Sequence, residues 1–292
     1  MPHTSARLPE RLFALLQFCL PTRLLSRAMH ALAECRIHWV KQSLINNFCR
    51  LYKIDLSEAA EPQPTAYPSF NAFFTRALQP GARIMTGGDA TVVAPVDGAL
   101  GAFGRIEGGR LFQTKGMAYN LNELLAGHDD CCARFVGGSY ATLYLAPRDY
   151  HRVHMPLAGR LQASHYIPGR LFGVNPASVR AIPRLFSRNE RLLARFDTAF
   201  GPMAVIMVGA FCVGGLETRW AGSVCPPHQR QPRPLQATTA AAAGAFQRGE
   251  EMGRFNLGSS VILLFGPNML TWNPALAAGQ TLRLGQTLAR AG

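Results

Sequence analysis

From about residue 91 onward the chain is a succession of short apolar, β-branched runs punctuated by Gly and Pro, and this punctuation constrains the fold more than any other feature. The runs are TVVAPVDGALGAF, GRLFQTKG, YATLYLAP, GRLQASHYIPG, ARFDTAFGPMAVIMVGAFCVGGLETRW, SSVILLF and TLRLGQTLA. They leave little room for the crossover helices of a βαβ repeat, so the pattern predicts a mixed or antiparallel sheet system. Within GRFNLGSSVILLF, the residues Val261 to Phe265 have the unbroken apolarity of a strand buried on both faces. Such a strand rarely opens on two hydroxyls. Read alone, Gly258-Ser259-Ser260 is a turn feeding a strand, with Gly258 in an unusual backbone conformation and the serines capping it.

The first 53 residues differ in kind. They carry Arg7, Arg11, Arg23, Arg27, Arg36, Lys41, Arg50 and Lys53 against Glu10 and Glu34. Leu25, Met29, Leu32, Val40, Leu44, Phe48 and Leu51 recur at helical spacing, which predicts two amphipathic helices broken near Pro21. Two readings of these helices stand: an arm packed on the body, or a basic surface lying on an anionic bilayer with Leu12, Phe13, Leu16 and Phe18 dipping into it. IDLSEAAEPQPTAYP at 54–68 is a polar connector, SFNAFFTRAL at 69–78 a short helix with aromatics on one face, and 226–248 an exposed excursion of low complexity. The fold class expected is α+β: N-terminal amphipathic helices over 1–68 with their connector, then a β-rich mixed or antiparallel catalytic core over 69–292.

Charge and cysteine usage narrow the function. A net charge of +13 on 292 residues favours an anionic partner. Seven scattered cysteines without a C-x-x-C pair argue against a disulfide framework or zinc knuckle and for a reducing compartment. No segment has the length of a transmembrane helix, and Pro21, Arg23 and Arg27 interrupt what would be a cleaved signal peptide.

Chemistry requires companions for the serine. A hydroxyl becomes a nucleophile beside a base, usually a histidine oriented by a carboxylate. RDYHRVHMP supplies His151 and His154 after a strand; without an H-E-x-x-H pattern or a nearby cysteine, no metal is expected there. APVDGALG supplies Asp97 at a tight turn, where it either aims into a cleft or serves its own turn. Asp149 lies beside Arg148, its expected partner. The G-x-S-x-G elbow is absent, as are a phosphate loop and a dinucleotide fingerprint.

Taken together, FNAFFTRAL, APVDGALG, QTKGMAYNLNELLAG, YLAPRDYHRVHMPLAGRL, IPGRLFGVN, LFSRNERLLARFDTAFGPMAVIMVGA, ETRWAG and EMGRFNLGSSVILLF occur in that order over about residues 69–265. In this the chain resembles the bacterial, membrane-associated phosphatidylserine decarboxylases of type I, and YHRVHMP with a later MGRF-x-LGS is the specific combination. The resemblance implies a proenzyme that cuts itself between Gly258 and Ser259 into chains 1–258 and 259–292. Ser259 attacks the preceding carbonyl, and β-elimination then leaves a dehydroalanine that hydrolyses to a covalent pyruvoyl cofactor. It further implies an Asp97, His154, Ser259 charge relay for that cut. Phosphatidylserine then becomes phosphatidylethanolamine and carbon dioxide through a Schiff base, with His151 near the substrate as positioning group or proton donor.

The implied partners are phosphatidylserine, an anionic membrane surface at the cytoplasmic face and the chain's own cleaved fragment. A homodimer of such pairs is an expected assembly, and nucleic acid is not expected. The family more often has LGST where this chain has Ser260; cleavage is expected to survive with an altered rate. Two other readings use the same residues: a serine hydrolase built on Ser259, His154 and Asp97 without backbone cleavage, and a non-catalytic basic protein binding acidic membranes or nucleic acid.

Overall fold

In the computed structural model, which describes residues 6–114, 117–211, 215–225, 230–238, 244–256 and 259–292, the Ser259–Phe265 strand lies between two long partners. It pairs antiparallel with Ser139–Leu145 on one side and with Gly201–Gly209 on the other, every residue in register. These three are the middle of a nine-stranded sheet that continues through Arg191–Thr198 and Gly159–Ile167 at one end and Gly98–Arg105 at the other. The unbroken VILLF run follows from burial on both faces. Val261, Leu263 and Phe265 enter a core shared with a four-stranded and a three-stranded sheet, while Ile262 and Leu264 enter a second core under short helices.

The four-stranded sheet runs Gly222–Cys225, Gly215–Thr218, Glu251–Asn256, Arg152–His154. It carries the second histidine of the YHRVHMP segment. The Glu251–Asn256 strand ends just before residues 257–258, and the chain resumes in the nine-stranded sheet at Ser259. The serine therefore stands where the chain leaves one sheet and joins another.

Among the described residues three helices, not two, precede the body: α1 (Leu8–Cys19), α2 (Thr22–Ala33) and α3 (His38–Tyr52). The break at Pro21 is where the sequence placed it. A second falls after Ala33, where Glu34 caps α2 and the chain turns before His38. α1 and α2 are inverted in polarity: their buried residues are Ala14, Gln17, Thr22, Ser26 and Ala33, whereas Leu12 is 58% and Leu16 55% exposed. Gln17 fastens α1 to the body, donating to Ser178 Oγ at 3.0 Å and accepting from the Gly173 amide at 2.7 Å. No described helix is long and apolar enough to cross a membrane.

A short helix α4 (Phe70–Phe74) follows, started by Ser69, whose Oγ accepts from the Ala72 amide at 3.1 Å. Phe70, Phe73 and Phe74 bury against Ile45, Tyr67 and Ala33 in a third cluster that ties α2 and α3 to the body. The excursion expected over 226–248 is only partly exposed. Arg233–Pro234 and Ala245–Phe246 pair with the Gly159–Ile167 strand, and Leu235 and Phe246 are buried in the main core. Isolated apolar residues in a polar, alanine-rich stretch carry no periodicity, which is why the sequence pattern missed them.

Candidate active site

Ser259 opens its strand fully buried, and its Oγ has no hydrogen-bond partner among the described residues. A sealed, unpartnered hydroxyl in an apolar strand costs stability, so its presence there needs a chemical reason. Gly258 and Leu257 lie outside the described residues. Ser260 is equally buried and its Oγ likewise unpartnered; side-chain alternation turns it toward the opposite face from Ser259.

Asp97 sits in the turn before Gly98–Arg105, at the same end of the sheet. Ala99 pairs with Tyr144, and the next residue of that strand, Leu145, pairs with Ser259. Two strand spacings, on the order of 10 Å, thus separate the Asp97 turn from the serine. Gly98 is required by this approach: a Cβ there would lie 2.3 Å from the Tyr144 carbonyl oxygen. The Asp97 carboxylate is gripped from outside. Arg83 donates to it through Nε at 3.0 Å and Nη2 at 2.5 Å, and the Leu284 amide donates at 2.8 Å. Arg83 also pairs with Glu58 at 2.9 Å.

The two histidines are prepared differently. His151 is wholly buried, with Nδ1 2.7 Å from the Asp149 carbonyl oxygen and its ring 4.1 Å from that of Phe74. Burial pushes its pKa down to about 3, only partly offset by that carbonyl. The ring is therefore neutral, Nδ1 carries the proton it donates, and Nε2 is a bare lone pair with no partner among the described residues. His154 sits on the Arg152–His154 strand with Nδ1 2.8 Å from the Gly249 carbonyl oxygen and Nε2 3.2 Å from the Tyr150 hydroxyl. Burial lowers its pKa as well. Its backbone amide donates to the Pro95 carbonyl at 2.9 Å, two residues before Asp97. Gly249 reaches His154 with φ of 79°, and a Cβ on it would lie 2.7 Å from Met85 Sδ.

Asp97 and Ser259 therefore lie at one end of the nine-stranded sheet, and His154, on the four-stranded sheet, is tied to the Asp97 turn through Pro95; among the described residues the three are not hydrogen-bonded to one another. Each ring nitrogen of His154 and the Asp97 carboxylate are held by other groups, and Ser259 Oγ is held by none. Asp149 turns out to serve its own turn, accepting from the Ala146 amide at 2.7 Å, with Arg148 only loosely placed at 3.9 Å. Sequence reasoning did not single out Arg83, Tyr150, Phe74 or the Gly249 carbonyl. Tyr150 lies inside the YHRVH stretch itself. Arg83 and Gly249 come from surface-like segments whose long-range partners carry no local signature.

A family model described as "Phosphatidylserine decarboxylase" matches residues 70–290, and a second, described as "PSD", matches 12–53. The chain belongs to the phosphatidylserine decarboxylase family. It is 50% identical over 286 residues to the phosphatidylserine decarboxylase proenzyme of Ectopseudomonas mendocina, covering 97% of this chain and 99% of that one. The proenzymes of Azotobacter vinelandii and Bordetella pertussis are 49% and 48% identical, and each match covers at least 94% of either chain. The family models divide where the structure changes character. One spans helices α1 to α3, and the other begins with α4 and takes in nearly the whole β-rich body.

Proposed function

We propose that this chain is a self-processing decarboxylase that converts phosphatidylserine to phosphatidylethanolamine and carbon dioxide, with Ser259 as the residue that becomes its pyruvoyl group. The observation that carries this reading is the Ser259 hydroxyl, sealed from water, without a partner among the described residues and placed at the junction between two sheets. A nucleophile for a single intramolecular attack fits such a place; a hydrolase serine has to meet solvent-borne substrates. No partner among the described residues opposes the loss of Ser259 Oγ, which suits the change of this residue to a keto group.

In the self-cutting step, Ser259 Oγ attacks the Gly258 carbonyl carbon while its proton passes to a neutral histidine base, His154. The amide nitrogen leaves and takes up a proton, and an ester replaces the amide. Abstraction of the serine Cα proton then expels the Gly258 carboxylate with the former Oγ, leaving dehydroalanine. Water converts that residue to the keto acid and releases ammonia. Nδ1 of His154 is already committed to the Gly249 carbonyl, so its basic nitrogen is Nε2. Asp97, its carboxylate oriented by Arg83 and the Leu284 amide, favours the imidazolium that forms.

Once formed, a pyruvoyl group at this position supplies a carbonyl that captures a primary amine and a sink for the electrons left when carbon dioxide departs. His151 takes at Nε2 a proton that the substrate ammonium gives up as its amine is captured, and as proton donor delivers it to the substrate carbon once carbon dioxide has left. Apolar walls around Ser259, Leu145 among them, keep a departing carboxylate poorly hydrated. Helices α1 and α2, with leucines outward and arginines flanking them, dock on an anionic bilayer at its cytoplasmic face as a peripheral attachment. The two chains left by the cut stay together, and a homodimer of such pairs is the expected assembly.

Intact mass spectrometry of wild type beside Ser259→Ala tests the reading. Expected is a wild type split after Gly258, with a C-terminal piece lighter than its serine-started mass by one ammonia, and an uncut Ser259→Ala. A wild type that stays whole after native purification would overturn it.

A further inference from the structure

Among the described residues, Arg76 is a buried cation whose hydrogen-bonding capacity is largely unspent. It lies two residues beyond α4, is 7% exposed and rests its guanidinium over the Phe73 ring at 5.5 Å. Of its five N–H donors, Nη2 makes one long bond of 3.4 Å to the Arg148 carbonyl, and Nη1 has no partner among the described residues. The other buried arginines show what satisfaction looks like. Arg191 donates to the carbonyls of Glu123, Leu124, Ser187 and Asn189, and Arg83 to two carboxylates. No carboxylate forms an ion pair with Arg76 among the described residues, and burial lowers its pKa. A buried charge left in this state is destabilising unless a ligand completes it.

Its position says which ligand. Arg76 lines a cavity of about 260 Å³ together with Asp97, Tyr150 and Arg148, with Lys53 and Arg283 also on its wall. Phe74, two residues before Arg76, stacks on His151. The cavity thus touches Asp97 directly and, through Arg76, the segment that leaves the helix carrying the His151 contact. Its acidic groups are engaged within the chain: Asp97 and Glu58 with Arg83, Glu58 also with Arg283 at 2.7 Å, Asp149 with the Ala146 amide and Asp55 with the Ser57 amide. Five basic residues, Lys53, Arg76, Arg83, Arg148 and Arg283, stand against these four carboxylates on the cavity wall. Lys53, at the C-terminal end of α3, brings this wall of the cavity to the last helix of the N-terminal arm.

We propose that Arg76 anchors the phosphodiester of the substrate headgroup, setting the enzyme's requirement for a phosphate-bearing serine. The proposal rests on the decarboxylase reading. Two anions are available in a serine phospholipid, the carboxylate and the phosphodiester, and they make opposite demands. A guanidinium paired with the carboxylate stabilises the charge that has to leave as electrons, and so holds back the reaction. The phosphodiester keeps its charge from substrate to product, so pairing with it binds and orients the headgroup at no cost to the chemical step. The planar, forked donors of arginine match two phosphate oxygens at once. Arg76 is accordingly a specificity residue rather than a proton-transfer group.

The test is binding to the full-length Ser259→Ala chain, in which no reaction follows, by calorimetry with glycerophosphoserine, serine and inorganic phosphate. Adding Arg76→Gln is expected to weaken glycerophosphoserine binding at least tenfold and to leave serine binding within twofold, with Arg76→Lys intermediate. Equal weakening of glycerophosphoserine and serine would overturn the assignment in favour of the carboxylate or of a structural role. Inorganic phosphate binding as tightly as glycerophosphoserine, and lost with Arg76, would overturn it in favour of a free-phosphate site. Self-cutting of Arg76→Gln in the otherwise wild-type chain reports that the variant folds; should it stay whole, the Arg76→Lys comparison decides. Decarboxylation of phosphatidylserine by the wild type is measured separately, so an inactive wild type would sink the functional reading without altering the binding result.

Discussion

Asp97 is held so firmly by Arg83 that the two behave as one unit. Removing the guanidinium, as in Arg83→Met, leaves a largely buried carboxylate with the Leu284 amide alone. The expected loss is about 3 kcal/mol of unfolding free energy, read from urea denaturation, with slower self-cutting. His151 makes the prediction that depends on pH. In the unfolded chain its pKa is near 6.5, and burial takes it to about 3 in the fold. Below pH 6.5 the unfolded state binds a proton that the native state refuses, so stability is full above that pH and falls as acid is added. The slope approaches about 1.4 kcal/mol per pH unit between the two values. Denaturation of wild type and His151→Phe at pH 5.5 and 4.5 isolates it: the wild type is expected to lose about that much more, and parallel losses would refute the assignment. Asp97, Ser259 and the pair His151 and His154 could be proposed from sequence because they lie in three short motifs, APVDGALG, LGSS and YHRVHMP. Arg83 could not be, since its tie to Asp97 is made by the fold and neither flanking sequence announces it.

At the scale of elements, α4 joins the helical arm to the site, because one face carries Phe70 and Phe73 into the arm's cluster while Phe74 meets His151. A helix this short depends on its start. Ser69→Ala removes the side chain that caps it and is expected to cost about 1 kcal/mol by denaturant unfolding. The Ser259–Phe265 strand depends instead on packing. Leu263 is fully buried between sheets, so Leu263→Ala is expected to cost about 2–5 kcal/mol in the same measurement. Both elements could be seen in the sequence, the first from its aromatic face and the second from its unbroken apolarity. The short pairings at 233–234 and 245–246 could not, because a two-residue strand offers no period to detect.

On the scale of the whole molecule, α1 and α2 turn their leucines outward and their small and polar residues inward. If that face meets lipid, Leu12→Ser with Leu16→Ser reduces sedimentation with anionic vesicles several-fold while leaving self-cutting intact; undiminished sedimentation would assign the attachment elsewhere. The periodicity of α2 and α3 could be read from sequence, but which face points outward could not, since it is decided by what the body offers to α1 at Gln17. The central placement of the Ser259–Phe265 strand has a further consequence. Activity on the proposed reading appears only after this strand has been seated between its two neighbours and the backbone then severed. Seating is thus a licence that the reaction itself inspects. A chain that fails to assemble its sheet keeps an inert serine, so every reactive carbonyl in a preparation certifies one molecule that once folded correctly. The severed halves carry no instruction for repeating the act: apart, one presents an open slot in its sheet and the other an unaccompanied apolar strand. Unfolding the mature enzyme should therefore be a one-way event, with activity lost on denaturation and not regained on dilution, whereas the uncut Ser259→Ala chain should refold.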